Sequence, residues 1–199
     1  MEALPDVLNL AASEQMNLGR TSDITSDILT GFGLKASEMT RVVDVLKATS
    51  AGANTDVGML GESMKYVGST AQNLGFSIES MSGALGLMAN AGIKGGQAGR
   101  YLRSSINKLV KPTKEGSKLL DDLGVNLTDS QGDMKSFTNI VGQFESKMQG
   151  MTKAQKQNAL ATIFGQEAAT GMLSIINQGS DELNSFTQEL KNSSGITEK

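Results

Sequence analysis

Residues 60–103 read LGESMKYVGSTAQNLGFSIESMSGALGLMANAGIKGGQAGRYLR, and this stretch organises the predicted fold. Its apolar residues recur every three or four positions, the spacing of amphipathic helices. Glycines at positions 75 and 92 interrupt the pattern, and Ser77 stands where its hydroxyl can cap a new helix. The stretch therefore predicts three short helices. None of them can bury its apolar side alone, so they must pack on each other or on the rest of the chain.

The same periodicity continues on both sides and predicts an all-α bundle of about ten short helices. Pro112 should end the sixth helix, because the residue before a proline is driven out of the helical region. We therefore expect two helical sub-bundles, residues 1–111 and 113–199. In the second, residues 125–135 carry a turn-forming Asp-Ser-Gln-Gly sequence between apolar residues, which predicts one small β-hairpin.

Local signals set the expected helix boundaries. The first helix should cover residues 3–17 and end at Leu18-Gly19, and Thr21 or Ser22 should cap the second. Ser37 should cap the third helix, and Asn54 or Thr55 should open the fourth. Thr113, Ser136 and Thr152 should begin the seventh, eighth and ninth helices. Glycine is abundant, at 23 of 199 residues, and it disfavours any long continuous helix. The glycines predicted to stop helices or form turns are Gly75, Gly92, Gly95, Gly96, Gly124 and Gly165.

The composition argues against enzymatic chemistry. The chain has no Cys and no His, which removes thiol nucleophiles, Cys/His zinc sites and His-based triads. The glycine-rich residues 92–100 lack the phosphate-loop spacing and follow a helix rather than a strand. Asp129 and Asp133 could touch a cation, but turn chemistry explains them better. We therefore predict no enzymatic activity, catalytic residue, cofactor, metal site or small-molecule substrate. No stretch approaches the roughly 20 apolar residues of a membrane span.

Charge is distributed unevenly along the chain. Residues 94–118 contain seven basic side chains and one acidic one, whereas the whole chain has a net charge of −3. At 100° per residue, Arg100, Arg103 and Lys111 share one side of the sixth helix, opposite its apolar residues. Such a stripe could meet phosphates or an acidic protein partner, or it could be a solvated face balanced by acidic flanks. The candidate contact residues are Lys94, Arg100, Arg103, Lys108 and Lys111.

Four stretches resemble, in the same order, the core region of phage tail tape measure proteins of the long, flexible-tailed type. The longest is LMANAGIKGGQAGRYLRSSINKLVKPTKE, residues 87–115. The others are LGRTSDITSDILTGFGLKASEMTRVVDVL, residues 18–46, LGVNLTDSQGDMKSFTNIV, residues 123–141, and LATIFGQEAATGML, residues 160–173. The resemblance extends from about Leu10 to about Leu190.

The resemblance implies a structural role in the virion. Proteins of that family lie inside the tail tube, set tail length during tube assembly in the host cytoplasm, and leave ahead of the genome. The implied partners are the tail tube protein, tail assembly chaperones, tail tip proteins and other copies of the same chain, with phage DNA as a further candidate. The alternative is a DNA-contacting or membrane-active ejection module that uses the basic helix, residues 97–111.

Overall fold

The computed structural model describes residues 4–193 and 195. Within them the chain forms eleven α-helices and one short 3₁₀ turn, Ala36–Glu38. The helices are α1 (Leu4–Ser13), α2 (Leu18–Gly31), α3 (Met39–Gly52), α4 (Val57–Asn73), α5 (Ile78–Asn90), α6 (Gly95–Val110), α7 (Lys114–Leu123), α8 (Phe137–Lys147), α9 (Lys153–Phe164), α10 (Gln166–Gln178) and α11 (Ser180–Lys191). The all-α prediction is confirmed. None of the helices in these residues is long and apolar enough to cross a membrane.

Helix α5 is the centre of the bundle. Every residue from Met81 to Ala89 is buried, and α5 packs against α3, α4, α6, α10 and α11. Its glycines make this crowding feasible: a Cβ on Gly86 would lie 2.5 Å from the ring of Phe186, and one on Gly83 would lie 3.0 Å from the Thr187 hydroxyl. The apolar, glycine-rich residues 81–89 are thus the buried axis of the fold.

Helices on the two sides of Pro112 share apolar contacts. Helix α10 packs against α6, α11 packs against α5, and the Phe76 and Phe137 rings meet edge to face with centroids 5.8 Å apart. Phe137 and Phe144 are fully buried, and the Phe144 ring lies 5.5 Å from that of Phe164. The division into residues 1–111 and 113–199 stays a prediction.

Several predicted caps are confirmed. The hydroxyls of Ser77, Thr113, Ser136 and Thr152 each accept a hydrogen bond from a backbone N–H in the first turn of the helix that follows. Thr152 also forms a capping box, because its own N–H donates to the side chain of Gln155 at 2.8 Å. These short polar residues satisfy N–H groups that a helix N-terminus otherwise leaves free.

The N-terminal helix boundaries differ from those expected. Helix α1 ends at Ser13, and Leu18-Gly19 opens α2 rather than ending α1, because the Asn17 side chain accepts from the N–H groups of Gly19 and Arg20. Leu18 is 40% exposed, so it does not extend an apolar stripe. Neither Thr21 nor Ser22 caps α2, since both lie inside it.

Two later helix starts also needed correction. Ser37 lies within the 3₁₀ turn and does not cap α3, which begins two residues later. Helix α4 is capped by Asp56, whose carboxylate accepts from the Met59 N–H at 2.8 Å, and not by Asn54 or Thr55. In both places several cap-forming residues stand close together, and only backbone geometry selects among them.

The predicted β-hairpin at residues 125–135 is wrong. The segment makes one isolated antiparallel bridge, between Thr128 and Met134, and no strand forms in the described residues. The turn from Asp129 to Asp133 uses up most of the segment and leaves arms too short for a ladder. Asn126 instead pairs its backbone N–H and C=O with the side chain of Gln143 on α8, each at 2.8 Å.

Candidate functional site

The start of α6 is pressed closely onto α4. Ser63 of α4 donates its hydroxyl to the Gly95 carbonyl at 2.7 Å and to the Met59 carbonyl at 3.0 Å. A Cβ on Gly99 would collide with the Ser63 carbonyl oxygen and lie 2.7 Å from the Ser63 Cα. The two backbones are therefore in direct contact. This contact fixes which α6 side chains project beside α4.

Arg100 and Arg103 both lie against the ring of Tyr66 on α4. The guanidinium carbons are 5.3 Å and 5.7 Å from the ring centroid, and an Nη of Arg100 donates to the Tyr66 hydroxyl at 3.4 Å. Both arginines are exposed, whereas Tyr66 is half-buried. The π-face of tyrosine attracts cations, so the ring holds the two positive charges together. We call this set, Tyr66, Arg100 and Arg103, the arginine–tyrosine cluster.

A cleft beside this cluster is lined by both helices. Its walls are Glu62, Lys65 and Tyr66 from α4 and Gly96, Gln97 and Arg100 from α6. Gly96 lies so close that a Cβ there would be 3.2 Å from both the Tyr66 ring and an Arg100 nitrogen. Glu62 places a carboxylate oxygen 3.1 Å from the position of a Cβ on Gly95. The cleft thus combines an aromatic ring, one acid and two basic groups.

The other predicted basic residues are more scattered. Lys94 precedes α6 and is half-buried, as is Lys108, and Lys111 is exposed just after the helix. No hydrogen bond or ring contact among the described residues joins any of these three to the arginine–tyrosine cluster. Helical spacing suggested a stripe of three cations, and the structure pairs only Arg100 with Arg103.

The predicted turn glycines serve different purposes. Backbone φ is positive at Gly75, Gly92, Gly95, Gly124 and Gly165. Gly124 adopts the left-handed conformation at the end of α7, where its N–H returns to carbonyls of the last turn. Gly96 has no positive φ and instead leaves room for the Tyr66 ring.

Asp129 is occupied by backbone hydrogen bonds. One of its carboxylate oxygens accepts from the N–H groups of Gln131 at 2.9 Å and Asp133 at 3.0 Å, which is turn chemistry. Within residues 4–193 and 195, no group of three or more acidic side chains is placed to hold a metal ion.

An ion pair between α3 and α5, in which only the carboxylate is buried, has no counterpart in the sequence-based predictions. Glu79 accepts from Arg41 Nε at 2.6 Å and from Arg41 Nη2 at 3.0 Å, and its side chain is only 4% exposed. Burial acts to raise the pKa of Glu79, but hydrogen bonds from Arg41, from backbone N–H and from Ser77 outweigh it. The pKa of Glu79 therefore lies below its ordinary value. The two residues are 38 positions apart, so no local pattern links them.

This ion pair lines the wall of a second, larger cleft. The cleft has a volume of about 870 Å³ and lies between α3, α5, α8 and α11. On its wall Arg41 forms ion pairs with both Glu38, at 2.8 Å, and Glu79, at 2.6 Å. Its charged groups thus largely compensate each other, unlike those of the arginine–tyrosine cluster.

Comparison with known proteins identifies the family. Residues 1–165 match the family model described as phage-related minor tail protein. The chain is 35% identical over 199 residues to the tape measure protein of Pneumococcus phage Dp-1, covering 100% of this chain and 17% of the relative. It is 26% identical over 198 residues to the probable tape measure protein of Escherichia phage P2, covering 98% of this chain and 24% of the relative.

The chain therefore spans less than a quarter of the length of these two relatives. No solved structure matches it. The match to the family model covers most of the chain and includes the arginine–tyrosine cluster and the whole of α5. The chain belongs to the phage-related minor tail protein family, and it resembles one region of phage tape measure proteins.

Proposed function

We propose that this chain is a folded structural module of a phage tape measure protein, without enzymatic activity. The family and the names of the two relatives support a role in the phage tail. In this proposal the protein acts in the host cytoplasm during assembly, lies inside the tail tube of the virion and leaves on genome ejection. Its partners are the tail tube protein, tail assembly chaperones, tail tip proteins and other copies of itself.

The compact fold is the observation that supports this proposal. A compact monomer of 20.9 kDa exposes roughly 9,000 Å², and this chain exposes 9717 Å². Its buried apolar side chains form one core shared by helices from both ends of the sequence. They do not form the narrow seam that a long coiled coil requires.

Such a module is poorly suited to measuring length. A continuous helix of 199 residues would extend about 300 Å, at 1.5 Å per residue. The longest helix here has 17 residues, which corresponds to about 25 Å. Successive helices pack against each other from α1 to α6 and again from α9 to α11. We infer that linear measurement belongs to regions of the tape measure protein outside this module.

A deletion in a phage that carries this sequence tests the proposal. Removing residues 152–164, which include α9, takes away Leu160, Ile163 and Phe164 from the core. The expected result is loss of tails or tails of irregular length, measured by electron microscopy. A deletion of the same size in a continuous helical region elsewhere in the protein is the matched control and should shorten tails uniformly. Viable tails shortened by about 20 Å through the α9 deletion would show that this segment is part of the ruler.

The alternative was an ejection module that contacts DNA or membrane through residues 97–111. No observation among the comparisons or the described contacts favours it, so it is not proposed as the function.

A further inference from the structure

The arginine–tyrosine cluster has unused hydrogen-bonding capacity. A guanidinium carries five N–H donors, and the only hydrogen bond that either arginine makes among the described residues is the 3.4 Å contact from Arg100 to Tyr66. Neither Arg100 nor Arg103 forms an ion pair within the part of the chain that the structure describes, so no carboxylate there neutralises them. Two exposed cations thus lie against one ring and are left open to a partner.

The spacing of these cations defines what they can receive. Arg100 and Arg103 are three residues apart on α6, about 4.5 Å along the helix axis. Both rest on one ring, which restricts their orientations before any partner arrives. Arginine pairs well with carboxylates, because its planar fork can donate two parallel hydrogen bonds. Two carboxylates three or four residues apart on a partner helix have the matching separation.

The surroundings favour a protein partner over nucleic acid. Glu62 lines the cleft next to Arg100 and confines the positive charge to a small patch, whereas a nucleic acid needs basic groups along a run of phosphates. A half-buried tyrosine flanked by two exposed arginines has the composition of binding hot spots between proteins. The adjoining cleft, about 640 Å³, is large enough for several side chains.

We propose that the arginine–tyrosine cluster and its cleft form a docking surface for an acidic protein segment, received through paired carboxylates by Arg100 and Arg103. This proposal concerns a binding surface and does not depend on whether the module measures tail length. Its test is therefore a binding measurement in solution, which is independent of the tail-length experiment.

The probe is a labelled, alanine-based helical peptide of about 20 residues with glutamates at i, i+3 and i+4 spacing. It is titrated against the 199-residue chain at physiological salt, and binding is read by fluorescence anisotropy. A control peptide, the glutamine peptide, has glutamine at every glutamate position. A duplex DNA of about 20 base pairs is titrated under the same conditions. We expect the glutamate peptide to bind more tightly than either the glutamine peptide or the DNA.

Variants of the chain distinguish binding at the arginine–tyrosine cluster from non-specific attraction to its other basic residues. Arg100→Gln with Arg103→Gln should weaken peptide binding by about tenfold or more. The matched control, Lys114→Gln with Lys118→Gln, removes two exposed charges from the same basic segment and should change it by less than about twofold. Tyr66→Phe keeps the ring and should retain binding, whereas Tyr66→Ala should lose it. Circular dichroism confirms that each variant is folded.

Four results would overturn the proposal. The first is equal or weaker binding of the glutamate peptide compared with the glutamine peptide, and the second is a loss in the lysine control as large as that in the arginine variant. The third is wild-type binding by Tyr66→Ala. Duplex DNA binding more tightly than the peptide, and lost in the arginine variant, would make the cluster a nucleic-acid surface instead.

Discussion

Replacing Gly99 with alanine should destabilise the chain by about 3 kcal/mol, the upper range for overpacking a tight interface. Gly99 is buried in α6, where the backbone lies directly on that of Ser63 in α4. A Cβ at this position would lie 2.7 Å from the Ser63 Cα and 2.8 Å from its carbonyl carbon, whereas ordinary contact begins at 3.4 Å. Main-chain atoms cannot rotate away as a side chain can. The two helices would have to separate.

Three contributions set the size of the effect. Overpacking against backbone costs about 3 kcal/mol. Separating the helices also weakens the 2.7 Å hydrogen bond from Ser63 to the Gly95 carbonyl, which adds about 1 kcal/mol. Alanine recovers about 1 kcal/mol, because it is the better helix former. The net loss of about 3 kcal/mol should lower the midpoint of thermal unfolding by about 6–12 °C in a chain of this size.

Thermal melting followed by circular dichroism measures this effect. Gly31→Ala is the matched control: Gly31 also lies in a helix at a close helix–helix approach, yet its nearest neighbour to an added Cβ is 3.7 Å away, an ordinary contact. The free energy of unfolding of that variant should stay within about 1 kcal/mol of the wild-type value. If Gly99→Ala melts at or above the wild-type temperature, the close α4–α6 contact is not the constraint described here.

Two further changes test the electrostatics and a helix cap. Glu79→Gln should cost about 2 kcal/mol at neutral pH through the lost charged hydrogen bonds. Because the pKa of Glu79 is lowered on folding, its contribution is present above its ordinary value of 4.5 and is lost as pH falls through the folded pKa. The difference between wild type and variant in urea unfolding should therefore shrink below that pH, and a constant difference would contradict the assignment. Thr152→Ala should lower the free energy of unfolding by about 1 kcal/mol, whereas Thr152→Ser should leave it nearly unchanged in the same assay. Equal losses in the two variants would argue against the capping box.

The sequence was informative where local chemistry decides structure. Apolar periodicity and glycine positions indicated the all-α class and the central place of residues 60–103. The caps at Ser77, Thr113, Ser136 and Thr152 were predictable because each stands alone before an apolar-periodic run. Where several cap-forming residues stood together, as before α2 and α4, the sequence could not rank them.

Long-range pairing could not be predicted from one sequence. Tyr66 lies 34 residues before Arg100, and Arg41 lies 38 residues before Glu79, so neither partnership has a local signal. The bridge between Thr128 and Met134 shows the opposite error, because good turn residues suggested a hairpin whose arms are too short to form a ladder. Helical spacing placed Lys111 beside the two arginines but could not show that α6 ends before it.

The central claim is that this segment stays folded as a compact module within the tail. The chain has no cysteine, so single labels can be introduced at Asn90 and Asn177, which are both exposed and line the same groove between α5 and α10. Pulsed electron paramagnetic resonance can measure the distance between the labels in the free chain and in assembled tails, with labelled protein diluted into unlabelled. Because packed helices lie about 8–10 Å apart, the account predicts the same distance, roughly 20 Å, in both samples. A continuous helix would place the labels about 130 Å apart, and loss of the short distance in assembled tails would contradict the account.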